Sequence, residues 1–267
     1  MMKLQIQRRV IQMKILLISG HGAGDSGAVA KINGKTYKEA TETIVMVKKI
    51  KNQLNKYRNV SVTLYPTGRN AYEDAKNGKL QMNFADYDYI LEVHFNACVN
   101  DLKGNGKTTG VEIYITNYDV TKKTETLIVE EIAKLGLKNR GVKQYNYTVI
   151  NRAKKAGAES ALLETCFIDD ADDMAIYLKN KAAIAKAVAK AIAKSYGLKL
   201  KTAGLQVGDR IKVKSGTKDL NTGMKYSSFV YEETYEVIRI DNNNEVVFGV
   251  DGISIGRCLK ECVKEIS

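Results

Sequence analysis

Through its first two thirds the chain alternates short apolar runs with longer amphipathic stretches. KILLIS (14–19), VSVTLYP (60–66), DYILEVH (88–94), GVEIYIT (110–116) and SALLETCF (160–167) have the length and composition of buried strands. Glu39 to Tyr57, Lys123 to Leu137 and Asp172 to Leu198 space their apolar residues at a helical period. Such alternation predicts an α/β fold, a twisted mixed sheet flanked by helices on both faces. The last helix carries the clearest pattern: Ile184, Val188 and Ile192 form a core stripe, Lys186, Lys190 and Lys194 a stripe on another face, and Gly197 ends it.

After LKLKTAG the period changes. LQVGDRIKVKSG, SFVYEETYEVIRI and DNNNEVVFGVDGISIGRCL alternate apolar with polar residues between Gly and Asn turns and show no helical spacing. They predict a small all-β barrel from about Leu205. The expected organisation is a leader over 1–12, a first domain over 13–198, a linker over 199–204 and the barrel over 205–267.

Composition narrows the class. The chain is 44% hydrophobic and 27% charged over 267 residues, and no apolar run approaches the roughly 18 residues of a membrane span. A soluble protein is expected. The opening MMKLQIQRRVIQ has no apolar stretch of signal-peptide length, so no export signal is expected, and Met13 offers a natural start to the folded pattern. Four cysteines, Cys98, Cys166, Cys258 and Cys262, are too few and too irregular for a disulfide scaffold and are expected to be free thiols.

Charge is uneven. The net charge is +12, but from residue 203 onward nine Lys and Arg face ten Asp and Glu, so the whole excess lies on residues 1–202. It implies attraction to a polyanion, whether nucleic acid, an anionic membrane surface or an anionic wall polymer. Nucleic acid is disfavoured, because no zinc-finger or RNP-type motif appears and no aromatic residues interleave the lysine stripe.

Both histidines of the chain sit at the carboxyl ends of predicted strands, His21 within SGHGAGDSGA and His94 after YILEV, and Glu164 ends a third strand. In open α/β sheets ligands bind at that edge. Two imidazoles so placed suggest a metal, since zinc takes neutral imidazole and carboxylate and a catalytic site keeps a fourth position open. Glu39 is the candidate carboxylate and Glu42, one turn later, its rival. A lone loop histidine is ordinarily solvated; the convergence of three groups is what points to a site. Glu164 lies inside an apolar run, where an ionised carboxylate is costly unless a cation pairs with it.

SGHGAGDSGA, Glu39, EVHFNA (92–97), NRGVK (139–143) and LLETCF (162–167) together resemble the zinc-dependent N-acetylmuramoyl-L-alanine amidases of the type 3 class, in order and spacing from about Met13 to Gly197. The resemblance implies that His21, Glu39 and His94 bind Zn2+ and that Glu164 is the catalytic base. It further implies that Arg140 helps hold substrate, unless it serves a structural salt bridge, and that Asn96 fixes the loop after His94. There are departures, among them TCFIDD after Glu164, which keeps the phenylalanine but differs from the common GFISN ending. Ser19 stands where an acidic residue often precedes the first histidine, and Glu92 where a serine often precedes the second, so the groups that orient the imidazoles are not carried over.

The carboxyl-terminal barrel resembles bacterial SH3-type wall-binding modules through VGDRIKV, and Tyr226, Tyr231 and Tyr235 either line a groove or are half-buried strand residues. The combination implies a phage endolysin made in the host cytoplasm, reaching the peptidoglycan of a Gram-positive wall after holin-type release and aided by anionic wall polymers. A bacterial autolysin, a zinc peptidase acting within stem peptides and a non-enzymatic wall-binding protein are the alternatives.

Overall fold

The computed structural model describes residues 12–201 and 204–266, so the expected leader over 1–12 falls almost wholly outside the described residues. Residues 12–199 and the carboxyl-terminal segment form two separate compact units.

The first unit runs β1 (Met13–Ser19), β2 (Val29–Ile32), β3 (Lys35–Lys38), α1 (Glu39–Leu54), β4 (Val60–Leu64), α2 (Ala71–Lys76), β5 (Tyr89–Asn96), β6 (Val111–Ile115), α3 (Lys123–Ala133), β7 (Asn139–Gln144), α4 (Thr148–Lys155), β8 (Glu159–Phe167) and α5 (Ala171–Tyr196). Six strands make one sheet in the order β4-β1-β5-β8-β6-β7. The first four are parallel; β6 runs antiparallel to β8 and parallel to β7, so the sheet is mixed. β2 and β3 pair as a separate hairpin.

Side chains alternate between the two faces of a strand, and the core divides accordingly. Ile15, Leu17, Leu91, Val93, Ile113 and Leu163 pack with α1, α3 and α5 in one cluster. Leu16, Ile18 and Ile90 pack with Ala71 and Ala75 of α2 and Val149 and Ala153 of α4 in the other. Cover on both faces is why the central strands read as nearly continuous apolar runs. The second face has only short helices over it, which leaves Glu92, His94, Leu162 and Glu164 lining a cavity.

Local rules explain the longest helix. Asp170 caps α5 by accepting the N–H groups of Asp172 and Asp173, and Gly197, at φ 69°, ends it in the left-handed conformation that glycine adopts without a steric penalty. Ile184, Val188 and Ile192 are buried while Lys186, Lys190 and Lys194 are exposed, and Asn180 breaks the helical dihedrals where its side chain bonds the Ile176 carbonyl. Among the described residues no helix is long and apolar enough to cross a membrane.

The second unit contains β9 (Arg210–Val213), α6 (Ser228–Glu232), β10 (Tyr235–Asp241), β11 (Glu245–Val250), β12 (Ile253–Leu259) and β13 (Val263–Glu265), in one antiparallel sheet ordered β12-β11-β10-β9-β13. Its core is Ile211, Val213, Val237, Val246, Phe248 and Cys258. Contrary to the expected strand over SFVYEE, residues 228–232 form α6, with Val230 as its one buried residue. Tyr235 is buried, and the hydroxyls of Tyr226 and Tyr231 bond Asp219 and the Thr217 carbonyl, so these rings brace the fold. All four cysteines are free.

Candidate active site

His21 follows β1 in the glycine loop and itself adopts φ 63°, a conformation unusual for a residue with a side chain. A bridge between Gly22 and Asp25 closes this loop. The closure brings Asp25 under the imidazole, with Oδ2 2.7 Å from His21 Nδ1, while Asp25 is itself held by Asn70 Nδ2 at 3.1 Å and by the Gly27 N–H at 2.9 Å. The other ring nitrogen, Nε2, lies 3.0 Å from Glu39 Oε2.

Glu39 is the first residue of α1 and is buried. Its second oxygen, Oε1, is 2.9 Å from His94 Nδ1 and accepts the Phe95 N–H at 3.0 Å, while Oε2 accepts the Ala28 N–H at 2.9 Å. His94 turns its Nε2 toward Glu92 Oε1 at 3.3 Å. The imidazoles meet edge to face with centroids 5.0 Å apart. One ligand atom from each of His21, Glu39 and His94 falls within 4.8 Å of the others, so this group could hold a metal ion. Glu42 points elsewhere, to the Tyr177 hydroxyl at 2.8 Å and the Lys181 ammonium at 2.5 Å.

Two glycines make the space. A Cβ on Gly20 would fall on the His94 ring, and one on Gly27 would come within 2.6 Å of both Glu39 Oε2 and the His21 ring.

Glu164 on β8 is register-paired with His94 on β5 and with Glu112 on β6. Its Oε2 is buried and has no hydrogen-bond partner. Burial pushes its carboxyl up to about 7, with the His94 charge opposing and Glu39, Glu112 and Glu92 reinforcing the rise. Burial also resists the charged forms of Glu39 and His94, but their bonds outweigh it: those from His21 and then His94 hold Glu39 well below the usual carboxylate range, and those to Glu39 and Glu92 hold His94 well above the usual imidazole value. The bond to Glu39 likewise raises His21. Each imidazole thus faces Glu39 through one ring nitrogen, and a divalent cation held by the three would compete with protons at those atoms.

Asn96 and Arg140 converge on Glu112. Asn96 Nδ2 donates to Oε1 at 2.8 Å, Arg140 Nε to Oε2 at 2.5 Å, and the Tyr114 hydroxyl and Lys143 ammonium complete the set around this buried carboxylate. The Asn96 amide oxygen accepts the Ala97 N–H at 2.8 Å. Asn96 lines the cavity; Arg140 is absent from its lining and lies against the Phe167 ring at 5.0 Å. Of the two roles weighed for Arg140, the geometry displays the salt bridge.

A cavity of about 690 Å³ joins His21, Glu39, Glu92, His94 and Glu164. Asp25, Glu92 and Glu112 were not singled out as orienting groups from sequence. Glu92 had the same signal as Glu164, a carboxylate inside an apolar strand, and Asp25 lay four residues from His21 in the loop already quoted.

The family model for N-acetylmuramoyl-L-alanine amidase (Amidase_3) matches residues 15–194. Among solved structures, the chain is similar to a putative N-acetylmuramoyl-L-alanine amidase from Neisseria meningitidis, at 26% identity and TM-score 0.55 over 72% of this chain and 100% of that one. The catalytic domain of the amidase CwlV from Bacillus (Paenibacillus) polymyxa var. colistinus matches at 23% identity and TM-score 0.55, over 70% and 100%. The catalytic domain of an endolysin targeting Clostridia difficile matches at 22% identity and TM-score 0.53, over 68% and 97%. No curated protein sequence matches the chain. With the family model spanning most of the first unit, the chain belongs to the N-acetylmuramoyl-L-alanine amidase family of the Amidase_3 type.

Proposed function

We propose that this chain is a zinc-dependent amidase of peptidoglycan, hydrolysing the amide between the lactyl group of N-acetylmuramic acid and the L-alanine of the stem peptide. The observation that carries the reading is the buried, unpartnered Oε2 of Glu164 in the same cavity as His21, Glu39 and His94. Those three residues fit zinc: two imidazoles and one carboxylate are donors it takes, and the far nitrogen of each ring faces a carboxylate, Asp25 or Glu92, that fixes its orientation. Zinc bound there supplies Lewis-acid polarisation of the scissile carbonyl and a water of lowered pKa.

Glu164 does the proton work. Poised near neutrality, it accepts a proton from the attacking water and returns it to the departing amine of L-alanine, which would otherwise leave as a poor, unprotonated group. Asp25 and Glu92 hold the imidazoles, and Glu112 holds Asn96 at the cavity edge.

The biological setting belongs to the same proposal. A similar catalytic domain comes from an endolysin, and the positive excess on residues 1–202 favours adsorption to anionic polymers of a Gram-positive wall. We place the protein as an endolysin made in the host cytoplasm and released to the wall through a holin-type opening, with the second unit as an SH3-like wall-binding module over about 205–267.

Mass spectrometry of Gram-positive peptidoglycan after digestion tests the chemistry. Free stem peptides beginning with L-alanine are expected, and a chelator is expected to abolish them. Cuts inside the stem peptide, or no release by zinc-loaded protein, overturn the reading.

A further inference from the structure

One wall of the cavity is aromatic, and the proton chemistry leaves it without a role. Tyr145, Asn146 and Tyr147 connect β7 to α4 and line the cavity together with Glu164. Their rings extend a line that begins on the sheet. Tyr114 of β6 meets Tyr147 edge to face, centroids 5.1 Å apart at 90°, and Tyr147 meets Tyr145 at 4.6 Å and 58°.

The line is fixed at its inner end and along its backbone. The Tyr114 hydroxyl donates to buried Glu112 at 2.9 Å, and the Lys143 ammonium lies 5.6 Å from the centre of the Tyr114 ring. The Tyr145 N–H donates to the Ile115 carbonyl, the Tyr147 N–H to the Tyr145 carbonyl and the Asn117 N–H to Asn146 Oδ1, each at 2.9 Å. Only the outer end is open: Tyr145 is 58% exposed. Tyr72, 45% exposed, lines the same cavity from α2, which follows the strand at the opposite edge of the sheet.

A single exposed tyrosine means little. A ring packed against a second ring, on a backbone held by hydrogen bonds and lining a cavity, is different, because part of its ordering entropy was lost on folding and is not lost again on binding. What it offers is a flat apolar face with polar groups, Asn146 and Thr148, beside it. Of the two halves of the proposed substrate, the stem peptide is extended and charged, whereas the glycan presents the C–H face of a pyranose ring rimmed by hydroxyl and acetamido groups. The packed tyrosines match the second.

We propose that Tyr145 and Tyr147 form a glycan subsite that packs the pyranose face of an N-acetylated sugar next to Glu164. The amidase reading supplies only the reason for a sugar to be there; the subsite stands or falls by itself. It makes the sugar a determinant of substrate affinity.

Calorimetry on the full-length Glu164→Gln protein with triacetylchitotriose, a sugar without peptide, measures the subsite directly. Adding Tyr145→Ala is expected to weaken binding about tenfold, while adding Tyr145→Phe, which keeps the ring, is expected to hold it within about twofold. No binding by the parent, or equal binding by the alanine variant, overturns the subsite. On active protein, Tyr145→Ala is expected to lower about tenfold the ratio of kcat/KM for a disaccharide-peptide to that for a sugar-free lactyl-peptide, through KM. Hydrolysis with that ratio unchanged also overturns the subsite, whereas sugar binding without hydrolysis of either substrate overturns the amidase reading alone.

Discussion

Helices α1 and α3 bury Glu42 and Glu125 on one side of the sheet, and each is answered from within the fold: Glu42 by the Tyr177 hydroxyl and Lys181, Glu125 by the Tyr89 hydroxyl. At the cavity edge of the sheet Glu39, Glu92 and Glu112 are buried with partners as complete, yet beside them Glu164 keeps one buried oxygen unbonded. A buried acceptor without a donor costs on the order of 1–3 kcal/mol. Neither burial nor a missing partner marks chemistry alone in this molecule, since Asp101 and Asp169 also keep a buried oxygen unbonded; Glu164 differs in lining the cavity shared by His21, Glu39 and His94.

The sharpest way to break this contrast is Glu164→Gln. It is expected to lower turnover about 10²- to 10⁴-fold while the melting temperature and the zinc content of the purified protein hold; an active variant would remove Glu164 from proton transfer. Next, Asp25→Ala frees the far nitrogen of His21 and is expected to weaken zinc binding about 10- to 100-fold, read by competition with a chromogenic chelator. On the other face, Glu42→Ala is expected to cost about 1–3 kcal/mol in denaturant unfolding, leaving Lys181 and Tyr177 unanswered, with kcat per folded molecule unchanged. If Glu42→Ala silenced the enzyme without destabilising it, the contrast between the faces would collapse.

A fourth, smaller effect concerns pH. Burial resists ionisation of Glu112, but Arg140, Lys143 and Tyr114 together hold its carboxyl below the ordinary value of 4.5. With a folded pKa below the unfolded one, its contribution to stability is complete above about 4.5 and lost as pH falls through the folded value. The stability gap between wild type and Glu112→Gln in urea is expected to narrow from pH 7 to pH 3, and a constant gap would deny the ion pair its role.

The central strands were readable because cover on both faces leaves them almost continuously apolar, and the long helices because their stripes keep period. The β2–β3 hairpin, α2, β7 and α4 were not. β7, NRGVKQ, is a half-buried edge strand bonded only to β6, and α4, TVINRAKK, buries just Val149, Ile150 and Ala153, so tertiary contacts rather than local pattern create both. In the second unit SFVYEE looked like strand because it lacks helical spacing, yet α6 needs only Val230 to anchor it.

At the site, the apolar runs of β1, β5 and β8 are legible in the sequence, and their carboxyl ends carry His21, His94 and Glu164. The partners of the imidazoles are not legible there. Asp25 reaches His21 only once Gly22 and Asp25 close the loop, and Glu112 stands opposite Glu164 only because β6 runs antiparallel, a direction that GVEIYIT does not encode.

Gly20 and Gly27 carry a consequence for how this enzyme is altered. The His94 ring occupies the volume a Gly20 side chain would fill, and Glu39 and His21 crowd the one over Gly27. One methyl group at either position would force an imidazole or a carboxylate to shift while His21, Glu39 and His94 all remained in the sequence. A variant library that guards only the polar residues thus leaves the site open to loss through alanine, the mildest of replacements on paper. In this loop the empty volume is as much a part of the reagent set as the atoms around it.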